Sequence, residues 1–266
     1  MFLPRLTCLA LTATLFAGAT APVIRAASDP RFARDNLVAW CIVPFDSVRR
    51  DPEARAAMVR SLGLTRVAYD WRAEHVPQFE REILAYRKHG LEFFAFWGVH
   101  EEAFRLFAQH QLRPQIWLTA PSPSGDLTQE ERIAQAAARL LPVVERTRRA
   151  GLPLGLYNHG GWGGEPENLV AVCAHLRRHH DAGHVGIVYN QHHGHAHVDR
   201  FAAALAAMQP YLLCLNLNGM DADGEAAGRK IKPLGSGHLD LALLRQVRAS
   251  GYRGPIGILN HTDADA

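Results

Sequence analysis

The chain is poor in cysteine, has almost no excess of charge of one sign, and lacks a long apolar run beyond its first residues. Its 4 cysteines include no CxxC pair, and Cys41, Cys173 and Cys214 are expected to be buried free thiols. The 29 Lys and Arg residues nearly balance the 26 Asp and Glu residues, which argues against a dedicated nucleic-acid-binding protein. A hydrophobic share of 48%, with 22 Gly and 15 Pro, argues against a disordered, collagen-like or coiled-coil chain.

Residues 1–26 have the pattern of a secretory signal peptide. Arg5 is followed by the uncharged run LTCLALTATLFAGATAPV, and a cleavage site of small residues lies at Ala19–Ala21, with Ala26 as a second choice. An uncleaved N-terminal membrane anchor is the alternative. Loss of this segment lowers the formal net charge from +3 to +1. We therefore expect a periplasmic or secreted protein that has no membrane contact once the signal is removed.

Short apolar runs alternate with segments of helical period along the rest of the chain. The predicted strands are 37–42, 66–70, 91–97, 115–120, 153–158, 185–190, 211–217 and 255–260. The predicted helices are 51–63, 76–89, 101–112, 128–151, 166–182, 197–209 and 239–250. Asp51-Pro52 and the capping box Thr128-x-x-Glu131 mark two of the helix starts.

Eight strands with intervening helices predict parallel pairing and one closed (β/α)8 barrel over residues 36–261. An eighth helix is missing, because only six residues follow the last predicted strand. Either the N-terminal segment or a partner subunit covers the gap, or the chain is incomplete at its C-terminus.

Polar and aromatic residues gather at the predicted carboxyl ends of the strands, where barrel enzymes hold their reacting groups. Aromatic faces, amides and imidazoles in a concave site suit a small carbohydrate. The alternative is that Trp and Tyr only fill the barrel. The candidates for substrate contact are Trp40, Asp70, Trp97, Trp117, Tyr157, Asn158, Trp162, Asn190, Asn216, Asn218, Lys232, Asn260 and His261.

Histidine is the residue in excess, with 15 copies. Eight of them lie in one short stretch: 175, 179, 180, 184, 192, 193, 195 and 197. The first four fall on or just after a predicted outer helix, where a solvated face is expected. The others share the loop after the sixth strand, beside His159 from the fifth, and histidine is a common acid–base group and metal ligand.

Three motifs give the sequence a resemblance to a known superfamily. YNHGG follows the fifth strand, YNQHHGH follows the sixth, and GxGxxD (Gly235, Gly237, Asp240) precedes the GYRGPI of residues 251–256. Together with the order of elements, they resemble the sugar phosphate isomerase/epimerase superfamily of xylose-isomerase-like barrels. The resemblance implies proton transfer next to a carbonyl or hydroxyl of a sugar, assisted by a divalent metal held by Glu, Asp, His and Glu from strands five to eight.

This chain departs from that ligand pattern at every position. The four ligands correspond to Tyr157, Asn190, Asn216 and Leu259 or Asn260, while the family histidine after the sixth strand is kept as His193. Amides bind such cations more weakly than carboxylate or imidazole. Two outcomes stay open: a remodelled Zn, Mn or Co site made by His159, Glu165, His193 and His195, or no metal at all.

We take His159, Glu165 and His193 as the candidate catalytic groups. Glu165 would act as base or acid at the mouth, although it also stands at a helix start, where a carboxylate is favoured without a catalytic duty. Asp70 and Arg72 either bind a ligand or form an internal ion pair.

The leading hypothesis is an exported isomerase or epimerase of carbohydrates. The alternatives are a lyase that acts on 3-keto-glycosides by β-elimination, a non-catalytic sugar-binding barrel that has lost the family metal, and a histidine-rich metal-binding protein without turnover. The expected partner is a small carbohydrate, and the sequence is compatible with an oligomer.

Overall fold

Residues 29–259 are described in a computed structural model of the chain. The predicted signal peptide, the candidates Asn260 and His261, and the segment after the last strand lie outside the described residues. No helix within 29–259 is long and apolar enough to cross a membrane.

Eight parallel strands close into one barrel in chain order, and the last strand pairs with the first. The strands are β1 Leu37–Trp40, β2 Arg66–Tyr69, β3 Glu92–Trp97, β4 Gln115–Thr119, β5 Leu154–Tyr157, β6 Val185–Asn190, β7 Leu212–Leu217 and β8 Ile256–Ile258. The α-helices are α1 Ile42–Phe45, α2 Pro52–Ser61, α3 Phe79–Lys88, α4 Glu101–Gln109, α5 Gln129–Ala150, α6 Pro166–His179, α7 Phe201–Met208 and α8 Asp240–Ala249. The predicted (β/α)8 barrel is confirmed.

Local signals in the sequence set most helix ends. Asp51 caps α2 by accepting a hydrogen bond from the backbone N–H of Ala54, and Thr128 with Glu131 forms the predicted capping box of α5. Gly151 ends α5 in the left-handed conformation, at φ 67°. Two helices start later than predicted because 3-10 turns precede them: residues 73–78, which include Pro77, lead into α3, and residues 195–200 lead into α7.

Large aromatic side chains and glycines fill the barrel interior together. Trp117 is fully buried and Trp40 is 3% exposed, with their ring centroids 4.5 Å apart. Gly155 and Gly257 leave the space that these rings occupy, because a Cβ on Gly155 would lie 2.8 Å from Trp117 Cδ1 and one on Gly257 would clash with Trp40. Leu259 is buried in the same cluster. Side chains therefore fill the interior of the barrel, and the ligand-accessible region lies at the mouth, which is the end formed by the carboxyl ends of the strands.

The three cysteines outside the signal segment are buried and free, as predicted, in β7, in α6 and just after β1. Cys41 follows β1 at φ 54°, and this left-handed turn ends the strand two residues earlier than the apolar run predicted. At the opposite end of the barrel, residues 30–36 pack beside the last strand. There Asn36 Nδ2 donates to the Gly254 carbonyl at 2.9 Å.

Replacing Gly155 with alanine tests this packing. The added methyl would press on Trp117 and Val188, so Gly155→Ala should lower the free energy of unfolding by about 1–3 kcal/mol in urea denaturation. Gly183→Ala is the matched control, because its Cβ would meet no atom within 4 Å, and its effect should stay within about 0.5 kcal/mol. Equal effects of the two substitutions would contradict the packing account.

Candidate functional site

A hydrogen-bonded chain of neutral side chains crosses the ends of β5, β6 and β7. Asn216 Nδ2 donates to Asn190 Oδ1 at 2.6 Å, and Asn190 Nδ2 donates to Tyr157 Oη at 2.6 Å. Neighbouring parallel strands bring the three side chains together, with Asn190 directly opposite Asn216 in the sheet. All three are at least 95% buried. Burial raises the pKa of the Tyr157 phenol well above its usual range, so this group keeps its proton.

Asn158 holds this chain in place from the start of the loop after β5. Its Oδ1 accepts from the backbone N–H of Asn190 at 2.6 Å, and its Nδ2 donates to the Asn190 carbonyl at 3.0 Å. Because Asn158 is fully buried and both ends of its amide bond to the backbone of Asn190, it positions Asn190.

The four positions that carry the metal ligands in the family do not fit a divalent cation here. The amide Nδ2 groups of Asn190 and Asn216 are donors that face other side chains, and an N–H donor cannot ligate a cation. Asn190 Oδ1 is already shared by Asn216 and by the backbone N–H of His192 at 3.1 Å. Of the two candidates for the fourth position, Leu259 is buried among Trp40 and Tyr157, and Asn260 lies outside the described residues. We therefore derive no chemistry through the family metal.

A cluster of three imidazoles stands above the amide chain at the mouth. The ring centroids of His159 and His193 are 4.3 Å apart, and those of His192 and His193 are 4.2 Å apart. His193 also meets the Tyr157 ring edge-on at 5.4 Å. His159 is exposed, whereas His192 and His193 are half-buried. The structure thus joins two of the three predicted catalytic residues, His159 and His193, to Tyr157.

Burial lowers the pKa of His192 to about 4, and the charges of Lys230, His195 and His159 act in the same direction. His192 is therefore neutral near pH 7.

The third predicted catalytic residue, Glu165, belongs to a different group of side chains. Its carboxylate accepts from Arg200 Nη2 at 2.6 Å and lies 3.3 Å from His197 Nε2. His197 is buried, and its Nδ1 lies 2.9 Å from the hydroxyl of Tyr189, a side chain packed against Phe201 of α7. Glu165 therefore connects the N-terminus of α6 to the residues that precede α7. These contacts agree with the alternative that a carboxylate at this helix start has no catalytic duty.

The four-residue metal set predicted from the sequence is not assembled. His159 and His193 are adjacent, but Glu165 contacts Arg200 and His197, and His195 Nε2 lies 2.9 Å from the Lys230 carbonyl. Within residues 29–259, no group of three or more His, Cys, Asp or Glu side chains could hold a metal ion. The histidines of the outer helix are separate, since His175 and His179 stack on α6 with ring centroids 4.6 Å apart.

The four candidate tryptophans divide between the barrel interior and its rim. Trp117 is fully buried and cannot make the ligand contact predicted for it, and Trp40, which is 3% exposed, packs against Trp117 in the floor below the site. Trp97 is partly exposed above them, with its ring edge-on to Trp117 at 4.6 Å. Trp162 donates from Nε1 to Gln129 Oε1 at 3.1 Å, and thus packs toward α5. Trp97 is the tryptophan of the predicted set best placed to meet a ligand.

The charged candidates at the mouth are engaged in ion pairs. Arg72 Nη1 lies 2.9 Å from Asp70 Oδ1, which is the internal pair considered from the sequence. Lys232 Nζ lies 2.7 Å from Asp221 Oδ2. Lys232 and the backbone N–H of His238 hold the pKa of Asp221 well below its usual range.

The sequence did not single out Asp221 as a candidate. Its position four residues after the end of β7 is the signal that a carboxylate could stand at the mouth.

Asn218 donates to the Gly219 and Lys230 carbonyls. Its buried Oδ1 has no hydrogen-bond partner in the described part of the chain, and neither has Oδ1 of Asn216. Buried acceptors are normally satisfied, so a water or a ligand hydroxyl is the expected partner.

The sequence model of one family matches residues 71–263, and its description is a xylose isomerase-like TIM barrel. The chain belongs to this family. The family membership agrees with the resemblance seen in the YNHGG and GxGxxD motifs. A search of curated proteins found no significant sequence match.

Several solved structures share the fold of this family member. A 3-keto-D-glucoside 4-epimerase from E. coli is 16% identical, with a TM-score of 0.61 over 85% of this chain and 92% of that one. A D-psicose 3-epimerase from Clostridium cellulolyticum is 11% identical, with a TM-score of 0.58 over 84% and 83%. A probable 3-DHS dehydratase from Bacillus anthracis is 14% identical, with a TM-score of 0.60 over 84% and 92%. At these identities the likeness shows the fold.

The depressed pKa of His192 predicts a pH-dependent stability. The unfolded chain binds a proton at this side chain below about pH 6.5, but the folded protein does so only near pH 4, so stability is lost as the pH falls between these values. His192→Asn should reduce the stability lost between pH 7.5 and pH 5 by about 1–2 kcal/mol, measured by urea denaturation. His180→Asn, at an exposed position, should leave this loss unchanged. A His192 variant with the wild-type pH profile would contradict the prediction.

Proposed function

We propose that the protein is a carbohydrate isomerase or epimerase that removes a proton from carbon next to a carbonyl group. The observation that carries the proposal is the placement of Tyr157 and His159 beside each other at the barrel mouth, with ring centroids 6.1 Å apart. One is a neutral O–H donor and the other an accessible imidazole, which are the two functions that such a proton transfer requires. The predicted signal segment favours action outside the cytoplasm.

His159 is the proposed base. Its side chain is exposed at the carboxyl end of β5, where a substrate can reach it, and the glycines that follow it, at φ 80° and 62°, let the loop turn away from the mouth. His193 packs against its ring and limits its orientation. An imidazole in this place would accept the proton from one face of the carbon next to the carbonyl. Its return to the neighbouring carbon isomerises the sugar, whereas epimerisation requires that water or a second acid delivers a proton to the opposite face of the same carbon.

Tyr157 is the proposed donor to the substrate carbonyl oxygen. Its Oη accepts a hydrogen bond from Asn190, so its own proton is left for a further acceptor. Burial keeps the phenol protonated, and its hydrogen bond would become stronger as the carbonyl develops enolate charge. The amide chain from Asn216 orients Asn190 and thereby the Tyr157 oxygen. Neutral groups of this chain would thus supply the electrostatic stabilisation.

A carbohydrate is the favoured substrate class because the mouth presents hydrogen-bond donors and acceptors around Trp97. Amide acceptors, imidazoles and one partly exposed indole suit hydroxyl groups and the apolar face of a sugar. The sugar epimerases with this fold support the proposal as an analogy. A 3-keto-glycoside lyase would begin with the same proton removal, and the product distinguishes the two reactions.

A non-catalytic sugar-binding barrel is the second candidate. The observation in its favour is that Glu165, Asp70 and Asp221, carboxylates near the mouth, are each held in an ion pair. Such a protein would bind sugars without exchanging their protons.

Solvent deuterium exchange tests the reaction. Ketoses, aldoses and 3-keto-glucosides are incubated with the protein in D2O and examined by NMR, and the wild type should exchange a carbon-bound proton of at least one sugar. His159→Asn should slow this exchange by about 10²–10⁴-fold, and Tyr157→Phe by about 10²–10³-fold, with sugar binding retained. Tyr211→Phe, remote from the mouth in the turn before β7, is the control and should exchange normally. Absence of exchange over the whole panel, with binding present, would favour the binding barrel.

Metal content is a separate test. Since a phenol and two amides that hydrogen-bond to one another occupy three of the four family ligand positions, elemental analysis should find Zn, Mn and Co at far below one atom per chain, and EDTA should leave the melting temperature unchanged. A stoichiometric metal that is lost in both His159→Asn and Glu165→Gln would instead support the remodelled site.

A further inference from the structure

A second concave region lies beside the mouth, between the loops that follow β1 and β2. It encloses about 670 Å³ and is lined by residues 43–46, 49, 50 and 55 on one side and by 72, 74, 75 and 78 on the other. This volume is within the range of small-molecule sites. The proton transfer proposed above uses none of these residues.

Buried interactions build the walls of this cavity. The Asp46 carboxylate, which has no exposed surface, accepts from the backbone N–H of Val48 at 3.1 Å and from Arg50 Nη1 at 2.7 Å. Below it, Arg55 makes a two-pronged contact with Glu82, at 3.0 and 3.1 Å, and also donates to the Arg50 carbonyl. The loop conformation is therefore fixed by paired charges and backbone contacts, so the cavity is preformed.

The cavity is rich in charged groups but close to neutral as a whole. Three of its four arginines have carboxylate partners: Arg50 with Asp46, Arg55 with Glu82, and Arg72 with Asp70. Glu74 on the opposite side offsets the charge of the fourth, Arg49. A phosphate or sulfate site would need an excess of positive charge. A wall with donors and acceptors in balance suits a neutral ligand with many hydroxyl groups.

An aromatic ring adds a stacking surface. Phe45 lines the cavity and is 38% exposed, an unusual degree for a phenylalanine in a polar wall. The guanidinium carbon of Arg72 lies 5.9 Å from the centre of its ring. Aromatic faces beside polar side chains are the combination by which proteins hold the two kinds of surface of a sugar ring.

The cavity and the mouth lie at the same end of the barrel. Trp40 at the end of β1 and Tyr157 at the end of β5 have ring centroids 6.3 Å apart, so the ends of these strands meet beneath the mouth. Asp70 directly follows β2, and its partner Arg72 lines the cavity. A ligand of two rings at the mouth would therefore extend across the ends of β1 and β2 into the cavity.

We propose that this cavity is a subsite for a second, uncharged sugar ring, so that the substrate is a glycoside rather than a free monosaccharide. The inference rests on the proposed function in one respect, since the first ring is taken to occupy the mouth. The second ring stacks on Phe45 and exchanges hydrogen bonds with the charged wall.

Binding without turnover tests the subsite. Saturation-transfer NMR and calorimetry compare glucose with cellobiose, maltose and trehalose, and at least one disaccharide should bind more tightly than glucose, with saturation on both rings. Phe45→Ala should weaken the binding of that disaccharide by roughly three- to tenfold and abolish the saturation transfer to its second ring, while the affinity for glucose changes less than about twofold. Phe45→Trp should restore binding, and Leu84→Ala, an equally exposed apolar residue on α3, should change nothing.

Three results would overturn the subsite: no disaccharide that binds better than glucose, an equal loss of glucose and disaccharide in Phe45→Ala, or displacement of the disaccharide by inorganic phosphate at a similar concentration. These results are distinct from failure of the proposed reaction. Disaccharide binding that depends on Phe45, without any deuterium exchange, would retain the subsite and reject the catalysis. Deuterium exchange on monosaccharides, without tighter binding of any disaccharide, would retain the catalysis and reject the subsite.

Discussion

The mouth of this barrel depends on how its interior is filled. Two indoles, Trp40 and Trp117, occupy the space that most barrels fill with branched aliphatic side chains, and they fit only because Gly257 and Gly155 lack a Cβ at the facing positions. The indoles provide a rigid floor on which the Tyr157 ring rests. Tyr157 is the first member of the hydrogen-bonded chain that continues through Asn190 and Asn216. The position of this chain therefore depends on the two indoles beneath it.

The side chains that cross the strand ends above this floor are neutral. At three of the positions where the resemblance implies metal ligands, this chain has a phenol and two amides, which hydrogen-bond to one another in a buried place. One acceptor of this chain, Asn216 Oδ1, has no partner in the described part of the protein. Asn158 supports the chain, because both ends of its amide bond to the backbone of Asn190. Above these buried groups, His159 is the exposed imidazole of the cluster.

Different strand ends form the mouth and the cavity. The ends of β5, β6 and β7 supply the phenol and the amides of the mouth, and the loops after β5 and β6 supply its imidazoles, while the loops after β1 and β2 form the charge-balanced cavity with Phe45 at its side. Arg72, which pairs with Asp70 after β2, lines this cavity. In (β/α)8 barrels the carboxyl ends of the strands and the loops that follow them hold the functional groups.

Hydrophobic period, caps and glycines were enough to predict eight strands, seven crossover helices and the closed barrel, because these signals act between residues close in sequence. The order of motifs also placed His159 and His193 at the same end of the barrel. The partners of individual side chains needed the tertiary structure. Alternation along a strand states which side chains face inward but not how deep they lie, so Trp40 and Trp117 could not be distinguished from Trp97. Glu165 meets Arg200, 35 residues away, only because α6 and α7 are neighbours around the closed barrel.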